Sequence, residues 1–161
     1  MKLLYHRLYI KFTAIALLLV FCQQAQAQDV AMVPKERMSL LQYMMQERPV
    51  LAGLATKAGL TPLLSDNSAS FTILAPPDAE LKKLHELPAV RIRAILSGHI
   101  LKGAYLEKDF KDGATIETFA RTKVNICRKR DYILVDGVRI QHADSQLSNG
   151  VIHSLSGRLN L

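Results

Sequence analysis

The chain has 161 residues, 21 of them Lys or Arg against 14 Asp or Glu, which gives a formal charge of +7, and close to half are hydrophobic. That length suits one ordinary domain with a real core and leaves no room for a second. Two cysteines exclude a disulfide-dense scaffold, and no recognised motif points to nucleic acid.

The chain opens on "MKLLYHRLYIKF", where Lys2, Arg7 and Lys11 precede the apolar run "TAIALLLVF" and the small-residue site Ala25 to Ala27. This order predicts a secretory signal peptide over residues 1–27 and a short linker over 28–34. The apolar core, Thr13 to Phe21, is too short for a bilayer, which needs about twenty residues. The same region could instead carry lipid on Cys22, since "LVFC" has Leu three places before the cysteine. Phe21 is bulky where a lipidation site takes a small residue, so cleavage after Ala27 is the expectation. Both routes lead out of the cytoplasm, and the short chain and its "AQAQD" region suggest a bacterial-type envelope. The leader takes three basic residues and no acid with it, leaving a mildly basic mature chain of +4.

From Pro34 to about Leu64 apolar residues recur at helical spacing: Met38, Leu41, Met44 and Met45, then Leu51, Leu54, Ala55 and Ala58. Pro49 suits the start of the second helix and Gly59 its C-terminal cap. The methionine face is expected in the core. "LLSDNSAS" reads as a polar loop, and "FTILA" as a short buried strand ending at Pro76-Pro77. Asp78 stands at a helix start with Leu81, Leu84 and Leu87 on one face. A further helix runs from Pro88, with Val90, Ile92, Ile95 and Leu96 as its apolar residues, and loosens at Gly98 and Gly103.

After Tyr105 the pattern alternates: "GATIETFA", "KVNICRK", "DYILVDGVRIQHA" and "GVIHSLSGRLNL" are strand-like, and Asp136-Gly137 is a strong hairpin signal. Helices first and strands second imply an α+β fold. Cys127, the only cysteine left after the leader, has no partner for an internal disulfide, and its apolar neighbours predict a buried, inert thiol. Arg128, Lys129 and Arg130 form the one run of like charge, on an expected turn between strands. They are the candidate contact for an anionic partner: a glycan, an acidic protein or an anionic membrane surface.

Three segments together resemble the fasciclin domain family, over roughly residues 35–161. "FTILAPPDAEL" is similar to its first signature, in which a threonine-led strand (Thr72) runs into Ala75-Pro76 and an acidic helix start at Asp78. "ILSGHILKGAY" resembles its central segment around His99, with Gly98 where the family usually has a Tyr. "ADSQLSNGVIHSLSGRLNL" resembles the closing signature, ending without the usual acid and proline. The resemblance implies a wedge of two β-sheets with an N-terminal helical layer. It also implies a non-enzymatic adhesion or interaction module outside the cell, whose partners are extracellular or envelope proteins or glycans.

The remaining chemistry is weighed on the residues themselves. Asp144 and Asn149 flank the last turn, where a short acid or amide can bond stray backbone N–H groups, and Asn149-Gly150 is expected to supply positive φ angles. His153 alternates with Val151 and Leu155, which puts it on the apolar face, half-buried against a backbone carbonyl. His85, His99, His142 and His153 lack the short spacings of a zinc site, so no metal or cofactor is expected. Neither a nucleophile motif nor a phosphate loop occurs. The competing class is an envelope enzyme or small-ligand binder with a histidine-containing pocket, built on His99 or His153.

Overall fold

The computed structural model describes residues 34–160. The expected signal peptide, Cys22 and nearly all of the linker lie outside the described residues. A 3-10 turn at Lys35–Arg37 leads into α1 (Leu40–Glu47), where Ser39 and Gln42 close a capping box that satisfies two end N–H groups. Helix α2 (Pro49–Lys57) starts on Pro49, whose missing N–H costs nothing at a first helical position. It ends in a Schellman motif: Gly59 at φ 66° donates to the Thr56 carbonyl and Leu60 to that of Ala55. Helix α3 (Thr61–Ser65), strand β1 (Phe71–Ala75), α4 (Asp78–Lys82) and α5 (Ala89–Gly98) follow.

Six more strands complete the order: β2 (Ile100–Lys102), β3 (Thr115–Glu117), β4 (Lys123–Arg128), β5 (Ile133–Val135), β6 (Val138–Leu147) and β7 (Gly150–Leu155). They form a seven-stranded sheet in the order β2-β1-β7-β6-β5-β4-β3. The α+β class stands, but the strands make one continuous sheet where two were expected. The reason is β6, ten residues long, which pairs with β5 at its start and with β7 along most of its length. Beyond β3 the chain turns back to β2 through Leu101 and Thr118 and the bond from the Phe119 N–H to the Ile100 carbonyl, nearly closing the sheet.

Strands β1 and β7 pair in parallel, and every residue of β1 is buried, as expected of a strand covered on both faces. Phe71, Ile73, Ala75 and Ile152 face the helices and share a core with Leu40, Met44, Leu54, Leu81 and Ile92. Leu74 and Leu155 face the other way, into a second core with Leu101, Phe110, Val124, Ile126 and Val135. Two helical expectations fail. Met45 is 63% and Val90 77% exposed, because each sits about a third of a turn or more from the middle of the buried stripe, at Leu40/Met44 and at Ile92/Leu96 respectively. Strand β2 falls where the sequence reads as a fraying helix end.

Candidate functional site

The turn between β6 and β7 ties the helical layer to the sheet. Asn149, 2% exposed, accepts the Leu40 N–H at 2.7 Å, an N–H that α1 cannot satisfy internally. Its amide nitrogen donates to the carbonyls of Leu64 at 3.0 Å and Asp66 at 2.9 Å. Asn149 is not in a positive-φ conformation, contrary to expectation, and Gly150 at φ 159° is nearly extended. Gly150 is required by space instead: a Cβ there would lie 2.0 Å from the Phe71 carbonyl oxygen.

Asp144 lies within β6, at a register shift, and is itself the positive-φ residue at 59°. Its carboxylate accepts the Glu107 N–H at 2.7 Å. Its own N–H donates to His153 Nδ1 at 3.2 Å, so that nitrogen carries no proton, and Nε2 donates to the Tyr105 carbonyl at 2.8 Å. His153 is fully buried rather than half-buried, with Phe110 edge-on at 5.3 Å. Its carboxylate neighbour, at 3.9 Å, is beyond hydrogen-bond range. Burial holds His153 below the ordinary histidine range, against the opposing pull of the Tyr105 bond and the Asp144 and Glu107 charges. Thr72 fixes the same loop, donating to the Gly103 carbonyl at 2.7 Å and accepting the Tyr105 N–H at 2.8 Å.

His99, 2% exposed, has the opposite tautomer. Leu159 N–H donates to Nε2 at 3.1 Å, leaving the proton on Nδ1 for the Ile95 carbonyl at 2.9 Å. Burial pushes its pKa down to about 4; the Ile95 bond opposes this and the Arg158 charge adds to it. Ala75 and Pro76 are buried, and the Pro76 carbonyl accepts Arg48 Nη2 at 2.6 Å. Arg48 also reaches Ser154 Oγ at 3.2 Å and lies 3.6 Å from Asp78. No sequence motif announced Arg48; its place before Pro49 was the only signal.

The basic run divides in two. Arg128 is the last residue of β4, and its guanidinium donates to the carbonyls of Glu107 at 2.8 Å and Phe110 at 3.1 Å rather than projecting freely into solvent. Lys129 and Arg130 are exposed on the turn. Cys127 corrects the burial expectation: Val124 and Ile126 take the inward positions of β4, so alternation leaves the thiol half-exposed on the outer face. Cys127 is also the main reason that Lys129 holds its proton above the ordinary lysine range. Among the described residues no group of three His, Cys, Asp or Glu side chains could hold a metal, and His85 and His142 are exposed.

A polar cleft of about 170 Å³ opens where β5 and β6 part, lined by Glu107, Asp131, Tyr132, Arg139, Gln141 and Ala143 over Ile133 and Ile140. The two strands pair only through Leu134 with Arg139 and Val135 with Val138. Past those pairs β5 continues with β4, and β6 shifts register between Ile140 and Ser145. Sequence reasoning missed this cleft, since strand divergence carries no residue motif.

The fold has counterparts among known proteins. A domain pair of the insect cell adhesion molecule fasciclin I matches with a TM-score of 0.62 at 17% identity, over 77% of this chain and 51% of that one. The transforming growth factor-beta-induced protein ig-h3 of Oryctolagus cuniculus is 30% identical over 111 residues, which are 64% of this chain and 16% of that protein. The chain thus spans about half or less of the length of these relatives. The fasciclin domain model matches residues 47–159. Most of α1 precedes that span, yet Asn149 binds it to the core. The chain belongs to the fasciclin domain family.

Proposed function

We propose that the chain is a secreted or cell-surface interaction module, non-catalytic, that binds an extracellular or envelope protein or glycan. Secretion after removal of residues 1–27 is part of this proposal. Fasciclin domains are found in cell-adhesion proteins, and the solved relative belongs to a cell adhesion molecule. The observation that carries the reading is how the motif side chains are used. Asn149, Thr72, His99 and His153 direct their polar atoms to backbone groups, most of them on distant segments, and both histidines have both ring nitrogens occupied. These residues act as scaffold, which leaves recognition to the surface. All three cations of the basic run are exposed, and Lys129 and Arg130 on the β4–β5 turn are the two that do not brace the Glu107 and Phe110 carbonyls.

Beads carrying the chain test this on surfaces presenting glycosaminoglycan, neutral glycan, anionic lipid or extracellular protein. The expected result is saturable attachment to at least one, competed by free chain. If the surface is anionic, a Lys129→Ser/Arg130→Ser variant attaches less and with a flatter salt dependence, because exposed charge is screened beyond about 10 Å at 0.1 M salt. Arg128 stays unchanged, since it bonds the Glu107 and Phe110 carbonyls. Attachment no greater than that of bare beads, with a turnover abolished by His153→Gln, would replace this reading with the enzymatic one.

A further inference from the structure

We propose that the cleft between β5 and β6 binds a single neutral pyranose unit of a glycan. The proposal deepens the interaction reading above by naming its ligand class, and it starts from how the cleft is made. Two paired positions hold β5 to β6, after which β5 follows β4 and β6 is carried off by its register shifts. Register shifts of this kind re-aim side chains and end strand pairing, and they concentrate beside binding sites. The gap is left open, with polar walls.

Those walls offer three kinds of group. Glu107 and Asp131 supply carboxylate acceptors, Arg139 a forked donor, and Gln141 an amide that is both. Neither carboxylate is ion-paired with Arg139 or with another described residue. Both signs are therefore free to meet a ligand's hydroxyls, each of which donates and accepts. The Arg139 guanidinium lies 4.7 Å from the centroid of the Tyr132 ring, which fixes an aromatic surface at the wall. Ile133 and Ile140 lie buried beneath the cleft and leave its open lining mostly polar.

Size and charge narrow the choice. A volume of about 170 Å³ is below the roughly 300 Å³ at which drug-sized pockets begin. A site of this size takes one ring rather than an extended chain of them. Two carboxylates against one guanidinium disfavour an acidic sugar. A peptide adding as a strand along β6 would soon be stopped, because Lys35 bonds Ser145 at 3.0 Å and Met38 accepts the Ser148 N–H at 2.8 Å further along.

The test is amide NMR of the full chain titrated with methyl glycosides of glucose, galactose, mannose and N-acetylglucosamine, and with glucuronate as the acidic control. At least one neutral glycoside should produce saturable shifts centred on Asp131 to Ile133 and Arg139 to Ala143, with glucuronate weaker. A Glu107→Gln/Asp131→Asn variant should lose at least tenfold in affinity at unchanged melting temperature. Absence of shifts at these amides with every neutral glycoside, stronger binding of glucuronate, or equal affinity in the variant would each overturn the proposal. Bead attachment that persists in that event would leave the interaction reading intact and only the ligand class refuted.

Discussion

Asn149 accepts the backbone N–H of Leu40 across 109 residues of sequence at 2.7 Å, joining the last turn of the sheet to the first turn of the helical layer. Replacing Asn149 with Ala leaves that N–H and the Leu64 and Asp66 carbonyls without their partner. With about 1–3 kcal/mol for a buried group left unsatisfied, the variant should lose about 3 kcal/mol in urea unfolding. Asn149→Asp keeps the acceptor but not the donor. It should fall between the two, and a variant as stable as the parent would deny the anchoring role.

Gly150 gives a sharper outcome, because the obstacle is backbone. A Cβ 2.0 Å from the Phe71 carbonyl oxygen cannot be relieved by a side-chain rotation. Gly150→Ala must push β7 off β1 at the start of their parallel pairing. The expected loss is at least about 3 kcal/mol, read as a fall in melting temperature or failure to fold. Unchanged melting would show that the close approach is not there.

Cys127 tests how far strand phase decides exposure. A half-exposed thiol on the outer face of β4 should react with a thiol reagent in the native protein, at a rate insensitive to mild urea. Labelling that waits for global unfolding would put the side chain inside after all.

These residues show what was readable in advance. "FTILA" was legible as a short buried strand because, Thr72 apart, the run is apolar on both faces. Asp136-Gly137 was legible as a hairpin turn because few residues accept its φ values of 47° and 79°. Cys127 was not, since alternation leaves one residue of phase to choose between core and solvent. Strand β2 is three residues long and owes its state to its partner β1 rather than to its own sequence. The β5–β6 cleft depends on where pairing stops, which belongs to the assembled sheet. Of the motif residues, the sequence marked Asn149, Asp144 and His153 as structural, but which distant backbone groups they hold emerged only from the fold.

Acid should weaken the fold through His99. Its folded pKa of about 4 lies below the unfolded value of about 6.5, so between the two the unfolded chain binds more protons. Stability is therefore complete above about pH 6.5 and falls as pH drops towards 4, where the loss levels off. The shift corresponds to about 3 kcal/mol, and burial of His153 acts in the same direction. A His99→Gln variant should flatten this part of the urea-stability profile, whereas a slope equal to the parent's would assign it to other groups.

The central claim is that the buried histidines belong to the scaffold and not to a reactive pocket. Nitrogen-15 NMR of the imidazole rings tests it most directly. The account predicts rings of opposite tautomer at neutral pH, with the proton on Nδ1 of His99 and on Nε2 of His153, His99 titrating at about 4 and His153 below the ordinary histidine range. A ring that titrates near the ordinary value of about 6.5, or that carries its proton on the nitrogen facing the Leu159 or Asp144 N–H, would contradict it.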